Sequence, residues 1–110
     1  MEIAELRRRI ATILAAEEMQ PPDWAEVERL SDELTLNLMA EPETTCPEII
    51  DHYLDDADIR AANDCYGAHQ REKVRRFVET GEYDDGTIVS PWACAVVLAL
   101  AIASIVWLVW

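Results

Sequence analysis

Apolar residues recur every three or four positions through the first third of the chain, which is the spacing of amphipathic helices. A first stripe has Arg7 to Arg9 and Glu17 placed away from it, and a second follows the Pro21–Pro22 pair. The alternation in "LTLNL" at 34–38 would also suit a strand, but the helical spacing before it favours a helix. The pattern predicts an antiparallel helical hairpin over residues 1–39. Its two stripes are Ile3, Leu6, Ile10, Ile13 and Leu14, and then Trp24, Val27, Leu30, Leu34 and Leu38.

Residues 40–47 contain two prolines and are predicted to form a linker. Pro47 is the expected first residue of a short helix whose Ile49, Ile50, Tyr53 and Leu54 dock on the hairpin. Over residues 48–81 we expect one or two helices.

The end of that region carries its own signals for helix boundaries. Asp58 is a plausible cap for a further helix that runs toward Thr80, and Gly81 is placed to end it. Gly67 weakens the middle of that helix by up to about 1 kcal/mol, so the helix could break there. The pair formed by Glu72 and Arg76 has the favourable i,i+4 spacing.

Charge divides the chain into two parts. Every charged side chain lies between Glu2 and Asp85, and the formal net charge is -13. Residues 82–90 are predicted to form an acidic turn, and residues 91–110 contain no charged side chain. As a helix these 20 residues would be about 30 Å long, close to the hydrocarbon thickness of a bilayer.

The segment 91–110 is therefore predicted to be a transmembrane helix. Trp92 at one end and Trp107 and Trp110 at the other suit the two membrane interfaces. The nine Val, Leu and Ile residues favour insertion by roughly 3 to 5 kcal/mol. A helix lying at the interface, one buried in a partner and an ordinary core helix are the competing interpretations. The segment is apolar on all sides, which disfavours the last of these.

Two further expectations concern the membrane segment. Because Trp110 closes the sequence, we expect a tail-anchored protein with its acidic domain in the cytoplasm. Four basic residues 15 to 20 positions before the span count weakly toward that orientation: Arg71, Lys73, Arg75 and Arg76. Ala95, Ala99 and Ala103 recur every fourth residue and form a candidate helix-packing face, although chance composition explains them as well.

Composition limits the classes of function. So large a negative charge excludes nucleic acid as a partner, because such binding depends on neutralising phosphates with Lys and Arg. Cys46, Cys65 and Cys94 lack the spacing of a zinc site. The first residues lack the apolar core of a secretory signal, so we expect a reducing compartment. The high ratio of Arg to Lys suggests a bacterium, hence its inner membrane.

Candidate chemistry is weak. The stretch "DHYLDDAD" offers Asp51, His52, Asp55 and Asp58 as carboxylate and imidazole ligands for a hard divalent ion. A solvated acidic face explains the same residues more simply, because the chain has 22 acidic residues. Cys65 and His69 could form a nucleophile–base pair one turn apart, but no orienting third group accompanies them. We predict no cofactor, no metal and no enzymatic activity.

The sequence thus predicts an all-α protein, with a small acidic helical domain followed by one transmembrane helix. The expected role is an accessory or protein-interaction subunit at the membrane, and so thin a core suggests a protein partner or self-association. A phage-type lysis or pore-forming protein is one alternative. A soluble regulatory protein whose closing helix is buried in a partner is another.

Overall fold

A computed structural model describes residues 1–83 of the 110-residue chain. These residues form five α-helices and no strand, so the all-α prediction is confirmed. The predicted transmembrane helix, with its tryptophans and its alanine face, lies outside the described residues, as do positions 84–90 of the predicted turn. The helices are α1 (Ile3–Glu17), α2 (Trp24–Ala40), α3 (Glu48–Asp55), α4 (Ala57–Ala62) and α5 (Asp64–Thr80).

No helix found within residues 1–83 has both the length and the apolar content needed to cross a membrane.

Helices α1 and α2 pack against each other. Asp23 caps α2, since its Oδ1 accepts a hydrogen bond from the Glu26 N–H at 3.2 Å. The ambiguous stretch at 34–38 is helical: Leu34 is fully buried and Leu36 is 66% exposed, whereas a strand would place both on one face. The prediction is wrong for Ile3, which the pattern places on the apolar face of the first helix but which is 51% exposed.

Three helices follow the connection at 41–47, where one or two were expected. Helix α3 begins at Glu48, and Pro47 precedes it as the cap residue. The later break falls at Asn63, whose Oδ1 accepts from the Tyr66 N–H at 3.0 Å and so starts α5. Helix α5 then continues through Gly67 without interruption, and Asp58 lies in the first turn of α4 instead of capping a helix.

Helix α5 holds the unit together because it packs against α1, α3 and α4. The predicted apolar residues of α3 are all buried, with Tyr53 fully enclosed. The centre of the core consists of side chains with no exposed surface from α1, α2, α3 and α5: Leu6, Ile10, Val27, Leu34, Ile50, Tyr53, Val74 and Phe77.

The C-terminal end of α5 is fixed by two contacts. Gly81 has a left-handed backbone (φ 77°), and its N–H donates to the Phe77 carbonyl at 2.8 Å, so the predicted glycine cap is confirmed. The Arg7 Nη2 donates to the Val78 carbonyl at 2.8 Å and ties this end to α1. The last turn of α5 is therefore held by α1 as well as by its own cap.

Replacing Gly81 by alanine is expected to lower the free energy of unfolding by about 1 kcal/mol, because a Cβ disfavours the left-handed backbone. For a unit of this size, that corresponds to a melting temperature lower by about 4 to 8 °C, measured by circular dichroism on the full chain in nonionic detergent. Gly81→Asn should lower the free energy of unfolding by less than Gly81→Ala does, since asparagine tolerates the left-handed conformation. Glu79→Ala, at an exposed site of α5, serves as the control. Equal melting temperatures for Gly81→Ala and Glu79→Ala would contradict the assignment of the cap.

Candidate functional site

The second half of α2, the connection after it and α3 enclose an open groove of about 400 Å³. We call it the acidic groove. The side chains of importance here are Leu38, Met39, Pro42, Asp51, Leu54 and Asp55.

Two large apolar side chains of α2 are exposed at and beside this groove. Met39 is 73% exposed and Leu36, one turn earlier on α2, is 66% exposed. Residues three apart on a helix are neighbours, so Leu36, which does not line the groove itself, extends the exposed apolar surface of Met39 along α2. Leu38 and Leu54 contribute partly and largely buried surface beneath it. An exposed apolar patch of this kind beside a groove is typical of an interaction site.

The side chains around the groove carry mainly negative charge, and the positive charge next to it is the Met1 ammonium, which pairs with Glu41 at 3.1 Å and donates to the Thr44 hydroxyl at 2.9 Å. The thirty residues from 30 to 59 contain no lysine or arginine. Asp55 and Asp58 are exposed and form no ion pair with any other residue of the described part. The carboxylates of this stretch are Asp32, Glu33, Glu41, Glu43, Glu48, Asp51, Asp55, Asp56 and Asp58.

The structure separates the four residues considered as metal ligands. Asp51 and Asp55 line the groove, and the Asp51 Oδ1 accepts a hydrogen bond from the Cys46 thiol at 3.4 Å. The His52 Nε2 lies 3.5 Å from a carboxylate oxygen of Glu48 instead. Across residues 1–83 no group of three or more His, Cys, Asp or Glu side chains is arranged to hold a metal ion. Two of the four residues thus belong to a groove, and the set does not assemble.

Cys65 and His69 are both half-buried on α5. The His69 Nε2 is enclosed and makes no hydrogen bond to any residue of the described part, so it does not engage the Cys65 thiol. The arrangement gives no support to nucleophilic chemistry.

A buried ion pair joins α1 to α4, and sequence analysis missed it. Glu17, expected on the exposed side of α1, is 2% exposed, and Arg60 is 1% exposed. The Arg60 Nε donates to the two carboxylate oxygens at 2.9 and 3.0 Å. The Arg71 Nη1 donates to the same carboxylate from α5 at 3.0 Å. One carboxylate therefore connects three helices.

Tyrosine and glutamine side chains complete this buried cluster. The Arg60 guanidinium lies 3.9 Å from the centre of the Tyr53 ring, and the Tyr53 hydroxyl donates to Glu17 at 3.1 Å. Arg60 also donates to the Gln70 side-chain oxygen at 2.7 Å and to the Tyr53 carbonyl. Burial, together with the negative charge of Glu17, raises the pKa of Tyr53, so this hydroxyl stays protonated and remains a donor.

A second branch of the cluster reaches α3's end through Asp56. The Tyr66 hydroxyl donates to the Asp56 carboxylate at 2.6 Å, and Gln70 Nε2 donates to the same oxygen at 3.1 Å. Burial first, and then this bond to Asp56, raises the pKa of Tyr66 to about 12. These hydrogen bonds join α5 to the junction between α3 and α4.

A cleft of about 450 Å³ opens beside the cluster, with Trp24 and Arg75 on its wall. Its arginines already have partners: Arg75 contacts Glu18 and Glu72, and Arg71 contacts Glu17. The expected pair between Glu72 and Arg76 is replaced by this contact to Arg75, while Arg76 lies 3.0 Å from Glu82. Among residues 1–83, the cleft therefore has no arginine without a carboxylate partner to bind an anionic ligand.

No family model matches this chain, no curated protein matches it, and no solved structure matches it. Residues 1–83 form an acidic five-helix unit with a buried ion cluster.

Proposed function

We propose that this chain is a small membrane-anchored protein. Residues 91–110 form the anchor, and the five-helix unit acts on the cytoplasmic side as an accessory or protein-interaction subunit. The observation that carries the proposal is the distribution of charge, because residues 86–110 contain no charged side chain. The uncharged stretch has the length of a bilayer span and tryptophans near its two ends.

The described residues support a role for the five-helix unit that is separate from the anchor. The five helices contain buried side chains from every helix and a buried ion cluster, which are features of a unit with its own core. The acidic groove gives that unit a surface on which a partner can dock. An anchor raises the local concentration of the unit near partners in the same membrane, so that weak contacts become effective.

The cytoplasmic placement is supported by a thiol of α5. Cys65 forms no disulfide within residues 1–83, as is usual for a cysteine in a reducing compartment.

The direct test compares the full chain with a chain stopped after Ser90. Membranes from expressing cells are washed with alkaline carbonate and floated in a sucrose gradient. Flotation separates membrane-bound protein from aggregates. We expect the full chain to float with the lipid and the shortened chain to appear in the soluble fraction.

Two outcomes would overturn the anchor. Full-length protein that is soluble and monomeric would place the closing segment within the fold. Full-length protein that is soluble but oligomeric would instead assign that segment to a protein interface.

A further inference from the structure

We infer that the acidic groove binds a basic amphipathic helix of a protein partner. This inference rests on the proposed function, since it names the chemistry of the partner that the interaction subunit would hold.

The apolar part of the groove supplies the affinity. Met39 is largely exposed and lines the groove together with Leu38 and Leu54. Leu36, one turn earlier on α2, adds exposed apolar surface beside it. Burying such side chains against a partner removes apolar area from water, which is the main favourable contribution in protein association. The partner segment therefore needs an apolar face.

The charged part of the groove sets the sign of the partner. Asp51 and Asp55 are exposed on the α3 side, in a stretch from 30 to 59 without lysine or arginine. Opposite charge across an interface steers association and excludes partners of like charge. A lysine- or arginine-rich segment complements this rim.

The same argument disfavours two other occupants. A second copy of the groove would bring its own carboxylates against these, with repulsion between them. Residues 84–110 of this chain contain no lysine or arginine, so they cannot complement the rim. The occupant favoured by charge is another protein.

The fold favours a helix over an extended peptide. Residues 1–83 contain no strand, so an extended segment finds no sheet edge to join. The groove lies between two helices, and a helix presenting apolar residues at i, i+3, i+4 and i+7 is the usual occupant of such a groove.

The test measures the binding of a synthetic peptide to the full chain in nonionic detergent. The peptide is a helix of about 14 residues, or about 21 Å, with leucines on one face and lysines on the other. A fluorescent label on the peptide reports binding by anisotropy. A peptide of the same composition, with the leucines scattered around the helix, serves as the peptide control.

The matched variants are Met39→Asp and Met19→Asp. Both methionines are more than half exposed, at 73% and 54%, but Met19 lies between α1 and α2, away from the groove. Met39→Asp is expected to weaken binding at least about tenfold, because it removes an apolar anchor, and Met19→Asp to leave binding within about twofold. Any binding of the peptide to micelles is common to both variants and cancels in the comparison.

A second pair of variants tests the charge. Replacing Asp51 and Asp55 together by asparagine is expected to weaken binding about threefold to tenfold at low salt, and the difference should shrink in high salt. Glu79→Gln, at an exposed carboxylate on α5, is the control and should leave binding unchanged.

Several results would overturn the inference. If Met39→Asp and Met19→Asp lose the same peptide affinity, or if neither loses any, the peptide binds only nonspecifically to an acidic surface. A full chain that forms dimers which Met39→Asp dissociates would assign the groove to a second copy. If a chain stopped after Ser90 binds the peptide but the full chain does not, the occupant of the groove is the segment 91–110 of this chain. Membrane flotation tests only the anchor, and peptide affinity tests only the groove. Either proposal can therefore fail while the other holds.

Discussion

Glu17→Gln is expected to lower the free energy of unfolding by about 3 to 5 kcal/mol. The substitution keeps the shape of the side chain but removes the carboxylate that both Arg60 and Arg71 contact. Arg60 would then remain a buried cation without a counter-charge, and that is the source of the cost. The melting temperature, followed by circular dichroism on the full chain in nonionic detergent, should fall by at least about 12 °C. A small domain has a total stability of only about 5 to 15 kcal/mol, so part of the population could unfold at room temperature.

The neighbouring residue provides the matched control. Glu18 also pairs with an arginine, Arg75, but its side chain is 41% exposed. Exposed pairs contribute about 0 to 1 kcal/mol, so Glu18→Gln should change the melting temperature little. An equal fall in melting temperature for Glu17→Gln and Glu18→Gln would contradict the assignment of a buried ion pair to Glu17.

A double replacement separates the charge from the packing. Glu17→Leu combined with Arg60→Met removes both buried charges and fills similar volumes. This protein should be more stable than Glu17→Gln, because the fully buried Arg60 cation is gone. Arg71 also loses its partner, but its side chain is 24% exposed and reaches water. A double variant less stable than Glu17→Gln would show that the hydrogen bonds of Arg60 to Tyr53 and Gln70 outweigh the ion pair.

The helices could be predicted because their evidence is local. Periodicity over one or two turns places α1, α2 and α3, and a glycine after the last apolar residue marks the end of α5. The position of the last break could not be found in this way. A Cβ on Gly67 would lie 3.3 Å from the Arg60 carbonyl and 2.9 Å from the Arg71 Nη1, so the glycine serves a close helix contact. Its role depends on residues of another helix, and it therefore looked like a weak point of its own helix.

The buried cluster could not be predicted for a related reason. Charged residues are assigned to the surface unless a partner is known, and the partner of Glu17 lies 43 positions along the chain. One signal was available, since Glu17 continues the spacing of Ile10 and Ile13 by one further turn. For the acidic groove, the charge was visible in the sequence. Which apolar residues stay exposed depends on how α2 packs, so Leu36 and Met39 could be recognised only in the fold.

Leu100→Arg is expected to release the protein from the membrane. Residue 100 lies midway between residues 91 and 110. An arginine at the centre of a span costs about 2.5 to 3.5 kcal/mol, and the lost leucine removes a further 0.3 to 0.6 kcal/mol, roughly. The apolar residues of the segment favour insertion by only about 3 to 5 kcal/mol, so a single substitution offsets most of this. In the flotation experiment, we expect most of the variant to leave the lipid fraction.

The control for this substitution makes the same chemical change elsewhere. Leu36→Arg also replaces leucine by arginine, at a site that is 66% exposed on α2, and we expect it to float with the lipid to the same extent as the unchanged protein. Release of both variants would show that the membrane contact runs through the five-helix unit. Retention of Leu100→Arg in the lipid fraction, at the level of Leu36→Arg, would show that residues 91–110 do not cross the hydrocarbon core as a single helix. The anchor is supported only if position decides the outcome, because the charge added is the same in the two proteins.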